Sequence, residues 1–158
     1  MIDCLRSIKP PSRKRIAIHI TPSAQRHIRS GHPWLFDKSI TKQSHEGAPG
    51  DLAVVYDQKK KFLAVGIYDP LAPLRVRLLQ HRKPVEINRE WFIEKVRLAK
   101  NIRKPIIATD TNGFRLIHGE NDSFPGLVAD LYAGTLVVKI YTAAWVPHLA
   151  DVLFALTD

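Results

Sequence analysis

Alternation of apolar and polar positions opens the ordered part of the chain. Ile16, Ile18 and Ile20 fall on one side of the stretch from Arg15 to Thr21, the period of a half-buried strand. Thr21-Pro22 then reads as a helix N-cap with proline at the first helical position, and a short helix is expected to about Arg29, stopped by Gly31. Trp34 and Phe36 are two apart on an extended stretch, and at least one of them is expected as a core anchor, because large aromatics dominate small cores. After the turn at Pro49-Gly50-Asp51, Leu52 to Tyr56 and Phe62 to Tyr68 read as strands joined by the charged hairpin Asp57 to Lys61. Asp69-Pro70 and Pro73 break the chain. Leu74 to Leu79 alternates again, with Arg75 and Arg77 on one face and Leu74, Val76 and Leu78 on the other. Short strands with regular turn signals predict a small β-barrel.

The pattern changes after His81 to Pro84, which marks a boundary between a first domain at 1–82 and a second at 83–158. Pro84 to Ile87 reads as a short strand. Asn88 can cap a helix whose apolar stripe is Phe92, Val96, Ala99 and Ile102, ended by Lys104-Pro105. Ile106 to Gly113 is expected to be an irregular connection. A strand, a tight acidic loop and a second strand entering at Leu127 follow, with Pro125-Gly126 as the turn. Ala133-Gly134 makes a hairpin turn before the β-rich stretch Thr135 to Tyr141. Trp145, Leu149, Val152 and Leu156 carry the spacing of a last amphipathic helix. The fold class is therefore α+β: a small β-barrel, then a small strand-helix-strands-helix domain.

Composition places the chain among globular proteins, with 45% hydrophobic and 25% charged residues in 158. No apolar run is long enough to span a membrane. A single cysteine, Cys4, excludes an intrachain disulfide and a cysteine-built zinc site, and fits a reducing, cytoplasmic setting. The net charge of +9 is unevenly placed. Residues 1–80 hold 14 Lys/Arg against 6 Asp/Glu, a net of +8, whereas residues 81–158 hold 10 against 9, a net of +1. A basic half beside a near-neutral half suggests that the first half meets a polyanion, and the lack of a basic amphipathic helix favours nucleic acid over a membrane. The expected phosphate contacts are Arg26, Arg29 and His32 beside Gly31, where backbone can approach a ligand closely, with Lys38, Arg75 and Arg77 in support. Residues 1–14 are expected to form a loose basic arm, and Lys59-Lys60-Lys61 a solvated hairpin tip.

The stretch from Arg115 to Asp130 sets His118, Glu120, Asp122 and Asp130 around two glycines and a proline. The structural reading is turn capping and an acidic partner for Arg115. Two chemical readings compete with it: an acid/base pair, and a metal-dependent hydrolase using those four side chains. A zinc-deaminase site is closed off, since it needs a later pair of cysteines. No two glycines stand two apart, so the chain has neither a dinucleotide-binding loop nor a P-loop.

Arg115, Gly119, Glu120, Asp122, Pro125, Gly126 and Asp130, together with Gly31-His32-Pro33-Trp34 near the start, resemble a family of SAM-dependent RNA methyltransferases. Those enzymes make 5-methylcytosine in bacterial large-subunit ribosomal RNA. The family pattern differs at Ser123, where glycine is usual, and at Lys139, where glutamine is common. The resemblance implies a PUA-type RNA-binding domain whose small barrel is a β pseudo-barrel, a small α+β middle domain, and a catalytic domain not covered by this stretch. It implies RNA as partner, ribosomal in the family, and no cofactor held by this chain, with S-adenosylmethionine serving the full-length family. A homodimer is a candidate assembly of the full-length form. Such chemistry needs a cysteine nucleophile. Cys4 lies in the basic arm with no general base in view, so no catalytic residue is expected here and the chain reads as non-catalytic. Arg115, Glu120, Asp122, Pro125, Gly126 and Asp130 would form a conformational or interdomain loop. The alternative is a stand-alone PUA-type RNA-binding module with no part in methylation.

Overall fold

The computed structural model describes residue 5 and residues 7–158, so Cys4 and part of the basic arm lie outside the described residues. The chain divides into two compact units. One runs to Val85 and takes in Thr142–Leu149; the other comprises Glu86–Tyr141 and Ala150–Asp158.

The first unit is a six-stranded sheet built from β1 (Ile16–Ile20), β2 (Trp34–Phe36), β3 (Ile40–Gln43), β4 (Leu52–Tyr56), β5 (Phe62–Tyr68) and β6 (Leu74–His81), with helix α1 (Pro22–Arg29) after the first strand. The spatial order is β2-β6-β5-β4-β1-β3, with β1 parallel to β4 and every other pair antiparallel. β2 and β3 stand at opposite ends of that order, yet only the 3-10 turn Asp37–Ser39 separates them in sequence. Three residues reach only about 10 Å. The sheet must therefore curl until its two edges approach, which gives a half-barrel. Inside the curl, Ile16, Ile18 and Ile20 meet Ala53 and Val55, Leu35, Val76 and Leu78, with Ala24 and Ile28 of α1 as the plug.

Local chemistry fixes the ends of these elements. The Thr21 side chain accepts the Ala24 N–H at 3.3 Å, the N-cap read from Thr21-Pro22. Gly31, past the end of α1, has φ +96°, a backbone that L side chains rarely adopt. The arm is tied down at Ser12, whose N–H donates to Asp51 at 2.8 Å, while the other Asp51 oxygen accepts from Ala48. In the same unit Trp145 is fully buried, the His148 imidazole lies 2.7 Å from the Gly50 carbonyl, and the Thr142 hydroxyl donates to Asp69 at 2.6 Å.

The second unit is a three-stranded antiparallel meander, β7 (Gly113–His118), β8 (Leu127–Tyr132) and β9 (Thr135–Ile140), with α2 (Arg89–Ile102), α3 (Lys104–Ile107) and α4 (Leu149–Thr157). Asn88 caps α2 by accepting the Trp91 N–H at 3.0 Å. Trp91, Phe92 and Phe124 cluster with ring centroids 5.2 to 6.3 Å apart. Ala133 and Gly134 both have positive φ, as a two-residue hairpin between twisted strands requires.

Four local expectations change. Pro84–Ile87 forms no strand, since it has no ladder partner in either sheet. α2 ends at Ile102, just before Lys104-Pro105 as expected, but the connection from Ile106 is not irregular throughout: proline at the start of a helix costs no hydrogen bond, and α3 takes in Lys104–Ile107. Ile102 is 71% exposed, off the buried stripe of α2. Trp145 lies in a 3-10 segment, Ala143–His148, that precedes α4; Pro147 inside it cannot donate to an α-helical ladder.

Candidate nucleic-acid interface

The expected phosphate-binding residues occupy two different kinds of place. Arg26, Gly31 and Lys38 are exposed, and His32 is half-buried, along the rim that runs from α1 through the Gly31 turn to β2 and Asp37–Ser39. The His32 backbone N–H donates to the His27 carbonyl at 3.0 Å, and the His32 carbonyl lies 3.1 Å from His81 Nε2. Its Nδ1 accepts the Trp34 N–H at 3.3 Å. The turn is thus held by its backbone and by the imidazoles of His32 and His81, and Arg26 and Lys38 are exposed beside it.

Arg29, Arg75 and Arg77 are engaged by the protein itself. Arg29 Nη2 donates to Asp57 at 2.9 Å, although more than half of its side chain stays exposed. Asp57 is buried and also accepts the Lys59 and Lys61 N–H groups at 2.8 Å each. The backbone bond from Lys61, then that from Lys59 and the charge of Arg29, hold its carboxyl below the usual aspartate range against the opposing effect of burial. Arg75 donates to the Pro70 carbonyl and lies 3.9 Å from Asp37. Arg77 is 8% exposed and 3.4 Å from Asp69. A guanidinium buried against a carboxylate is a structural ion pair, so Arg77 is not available to solvent phosphate.

Two residues of this rim were misread from sequence. Trp34 and Phe36 are not core anchors: they are 39% and 45% exposed, while Leu35 between them is 1% exposed. The alternation of β2 allows either the aromatic pair or Leu35 to face inward, and the aliphatic interior of the curl takes the leucine. The cations flanking the aromatics were the signal available in the sequence. The two rings, with Ala24, His27, His32, Leu35 and Ser39, line a cleft of about 250 Å³.

In the second unit the acidic stretch is a folded turn. Asp122 accepts from Arg103 through both oxygens, at 2.6 and 3.2 Å, and from the His118 N–H at 2.6 Å. Both side chains of that pair are largely buried. Arg103 also donates to the Arg115 and Ala99 carbonyls, at 2.6 and 3.0 Å. Nothing in the linear pattern marked Arg103, which sits 19 residues before its partner. Arg115 and Asp130 face each other across β7 and β8 in a two-pronged pair at 2.8 and 3.2 Å, and Asp130 raises the Arg115 guanidinium pKa above its ordinary value. Pro125-Gly126 form the centre of a type II turn, with Gly126 at φ +78° and the Leu127 N–H donating to the Phe124 carbonyl at 2.9 Å. Glu120 lies in the 3-10 turn Gly119–Asp122 and is exposed. His118 ends a strand and Glu120 does not, so the two share no strand face. No group of three or more His, Cys, Asp or Glu among the described residues is placed to hold a metal ion.

No helix among the described residues is long and apolar enough to cross a membrane. A family model of a PUA-like domain matches residues 18–81. A ribosomal RNA large subunit methyltransferase of Deinococcus radiodurans is 45% identical over 147 residues, 90% of this chain and 36% of that protein. Ribosomal RNA large subunit methyltransferase I of Alteromonas mediterranea is 30% identical over 87% of this chain and 35% of that protein. This chain therefore spans about a third of the length of these relatives. A candidate SAM-dependent methyltransferase from Streptococcus mutans shares the fold, with a TM-score of 0.76 at 18% identity over 88% of this chain and 36% of that one. A further solved structure of a candidate methyltransferase, complexed with SAH, has a TM-score of 0.75 over 89% of this chain.

Proposed function

We propose, from a chain that carries a PUA-like domain and is related along nine-tenths of its length to proteins named ribosomal RNA large subunit methyltransferase, that its work is to hold ribosomal RNA for methylation rather than to methylate. The observation that carries this reading is the rim from α1 to Asp37–Ser39, where Arg26, Gly31 and Lys38 face solvent in the basic half of the chain. Arg26 and Lys38 act as phosphate contacts. His32 sets the shape of the turn, and Gly31 lets a strand of RNA pass close to it. Arg29 reaches phosphate with the part of its guanidinium that Asp57 does not occupy. Arg75 and Arg77 stay outside the interface and brace the sheet.

Methyl transfer to cytosine needs a SAM site and a cysteine nucleophile; this sequence has no Gly-x-Gly loop, and its single cysteine, Cys4, lies outside the described residues. In the full-length enzyme, S-adenosylmethionine and the attack on cytosine belong to a different part of the protein. The paired turn built on Arg103, Asp122, Arg115 and Asp130, with Pro125 and Gly126, serves as a rigid connection toward that part, and Glu120 is its solvent-facing acid.

Fluorescence anisotropy with labelled large-subunit rRNA fragments tests the reading. Affinity is expected to fall steeply between 50 and 200 mM salt, with a log–log slope of about −0.7 to −0.9 for each phosphate neutralised. A flat response rejects it.

A further inference from the structure

We infer that the open face of the three-stranded meander is a second RNA surface, on which an unpaired run of RNA lies across Tyr132 and Tyr141 and meets Arg115 and Lys139 with its phosphates. This rests on the RNA-binding reading and adds to it a surface in the other compact unit, apart from the rim that runs from α1 to Asp37–Ser39. Register fixes which side chains share the face: Tyr132 is opposite Gly113 and Thr135, Asp130 opposite Arg115 and Val137, and Lys139 opposite Val128. The reverse face carries Leu127 and Ala129, both fully buried. The outward one is left open: Tyr132 is 54% exposed, Val137 48% and Tyr141 61%. The Tyr141 N–H donates to the Gly126 carbonyl at 2.9 Å, which carries the pairing with β8 one residue past β9. From Thr135 to Tyr141 is six steps of strand, about 20 Å, the reach of several nucleotides rather than of one ring. Both rings are placed before any ligand arrives. Glycine at 113 leaves room for the Tyr132 ring, since a side chain there would meet it at 3.2 Å. Lys139 Nζ lies 4.7 Å from the centre of the Tyr141 ring.

The charge of the face selects the occupant. The one acid on these outward strand positions, Asp130, is spanned by Arg115 through both oxygens, at 2.8 and 3.2 Å. Lys139 is exposed on the neighbouring strand, so the face keeps a net positive charge after that pairing. An open sheet with exposed aromatics and cations suits single-stranded RNA: the bases stack on the rings and the backbone meets the charges. A second copy of the chain, docking through a two-fold axis, would set this positive face against itself. An apolar protein partner would find only Val137 and the half-buried Val128 between the tyrosines, and no pocket for a desolvated anchor. A duplex keeps its bases stacked within itself and would leave both rings uncovered.

Photocrosslinking of single-stranded rRNA fragments carrying 5-iodouridine to the whole chain, with mass spectrometry of the joined peptides, provides the test beside affinity measurements. Of the four tyrosines, Tyr68 is buried and Tyr56 half-buried, so tyrosine crosslinks are expected at Tyr132 and Tyr141. Tyr132→Ala and Tyr141→Ala should each weaken single-strand binding by about tenfold, the scale of one lost stack, with the salt slope unchanged, and Tyr132→Phe and Tyr141→Phe should stay within about threefold of the unaltered chain. Lys139→Ala should lower the log–log salt slope by about 0.7 to 0.9. Val137→Glu changes an exposed position of an edge strand, so it should melt as the unaltered chain does and still bind about tenfold more weakly, because it sets a carboxylate in the path of the backbone. Crosslinks absent from this face, with affinity indifferent to Tyr132→Ala, Tyr141→Ala and Val137→Glu, overturn the second surface and leave the rim standing. A changed oligomeric mass in Val137→Glu with RNA affinity intact overturns it too, and makes the face a contact between copies. Absence of any RNA binding by the unaltered chain overturns both readings.

Discussion

Ser123 occupies a left-handed backbone at φ +69° and ψ +25°, directly after the Gly119–Asp122 turn. The Ser123 N–H donates to the Glu120 carbonyl at 3.2 Å and the Phe124 N–H to the Gly119 carbonyl at 2.9 Å, so the turn cannot relax without breaking both. An L-residue held there costs roughly 1–2 kcal/mol, which explains why glycine is usual at this position of the resembled pattern. Replacing Ser123 with glycine should stabilise the protein by about 0.5–1 kcal/mol, once the larger chain entropy of glycine is set against the relieved strain. Urea denaturation measures it, and a Ser123→Gly variant that is less stable contradicts the account. Residue chemistry of this kind was partly legible. The turn at Pro125-Gly126 was readable because its two residues specify their own dihedral angles. Arg103 was not, because its partner is chosen by the packing of α2 beside β7 and the acidic turn. In the acidic stretch the same geometry gives two carboxylates structural partners: Asp122 and Asp130 are each paired with an arginine.

Among elements, the hairpin between β4 and β5 shows most clearly how one carboxylate organises a turn. Asp57 accepts two backbone N–H groups of the tip and pairs with Arg29 of α1, so it fastens the helix to the hairpin. Its pKa is depressed in the fold, through the backbone bond from Lys61 first. A depressed carboxylate contributes stability that is fully present above its unfolded pKa, about 3.9, and is lost as pH falls through the lower folded value. Stability should therefore decline below about pH 4, and Asp57→Asn, which cannot protonate, should flatten that decline while being less stable at neutral pH. Thermal melts from pH 2.5 to 7 check this; parallel profiles for the two proteins contradict it. Elements with local chemistry were legible in the sequence: α1 from its Thr21 cap, α2 from Asn88, β1 from its alternation, and β4 and β5 as apolar runs either side of a charged hairpin. Pro84–Ile87 misled because strand composition does not supply a ladder partner. The segment at Trp145 misled because helical spacing survives in a 3-10 turn long enough to mimic a stripe. In β2 the period was read correctly and the face was not, since period alone leaves the inward face undecided.

Across the whole chain, the α+β class and the small barrel followed from the spacing of short strands and turn signals, and the PUA-like match at residues 18–81 falls within them. The curl of the sheet was not in the pattern; it follows from joining the two edge strands through three residues. Nor could the pattern show that Thr142–Leu149 belongs with the first unit, which needs contacts about a hundred positions apart, as between His148 and Gly50. The uneven charge was plain in the sequence, but its meaning needed the structure, because burial and pairing remove Arg77 and Arg75 from the expected phosphate contacts and leave Arg26, Lys38 and the exposed part of Arg29. The account is tested most directly by removing Arg26 and Lys38. An Arg26→Ala, Lys38→Ala double variant should bind rRNA fragments more weakly than the unaltered chain, with the log–log salt slope reduced by about 1.5–2, while alanine at Lys59, Lys60 and Lys61 leaves the slope nearly unchanged. An unchanged slope in the double variant, or a larger loss from the hairpin lysines, would contradict the claim that RNA is held on the rim between α1 and β3.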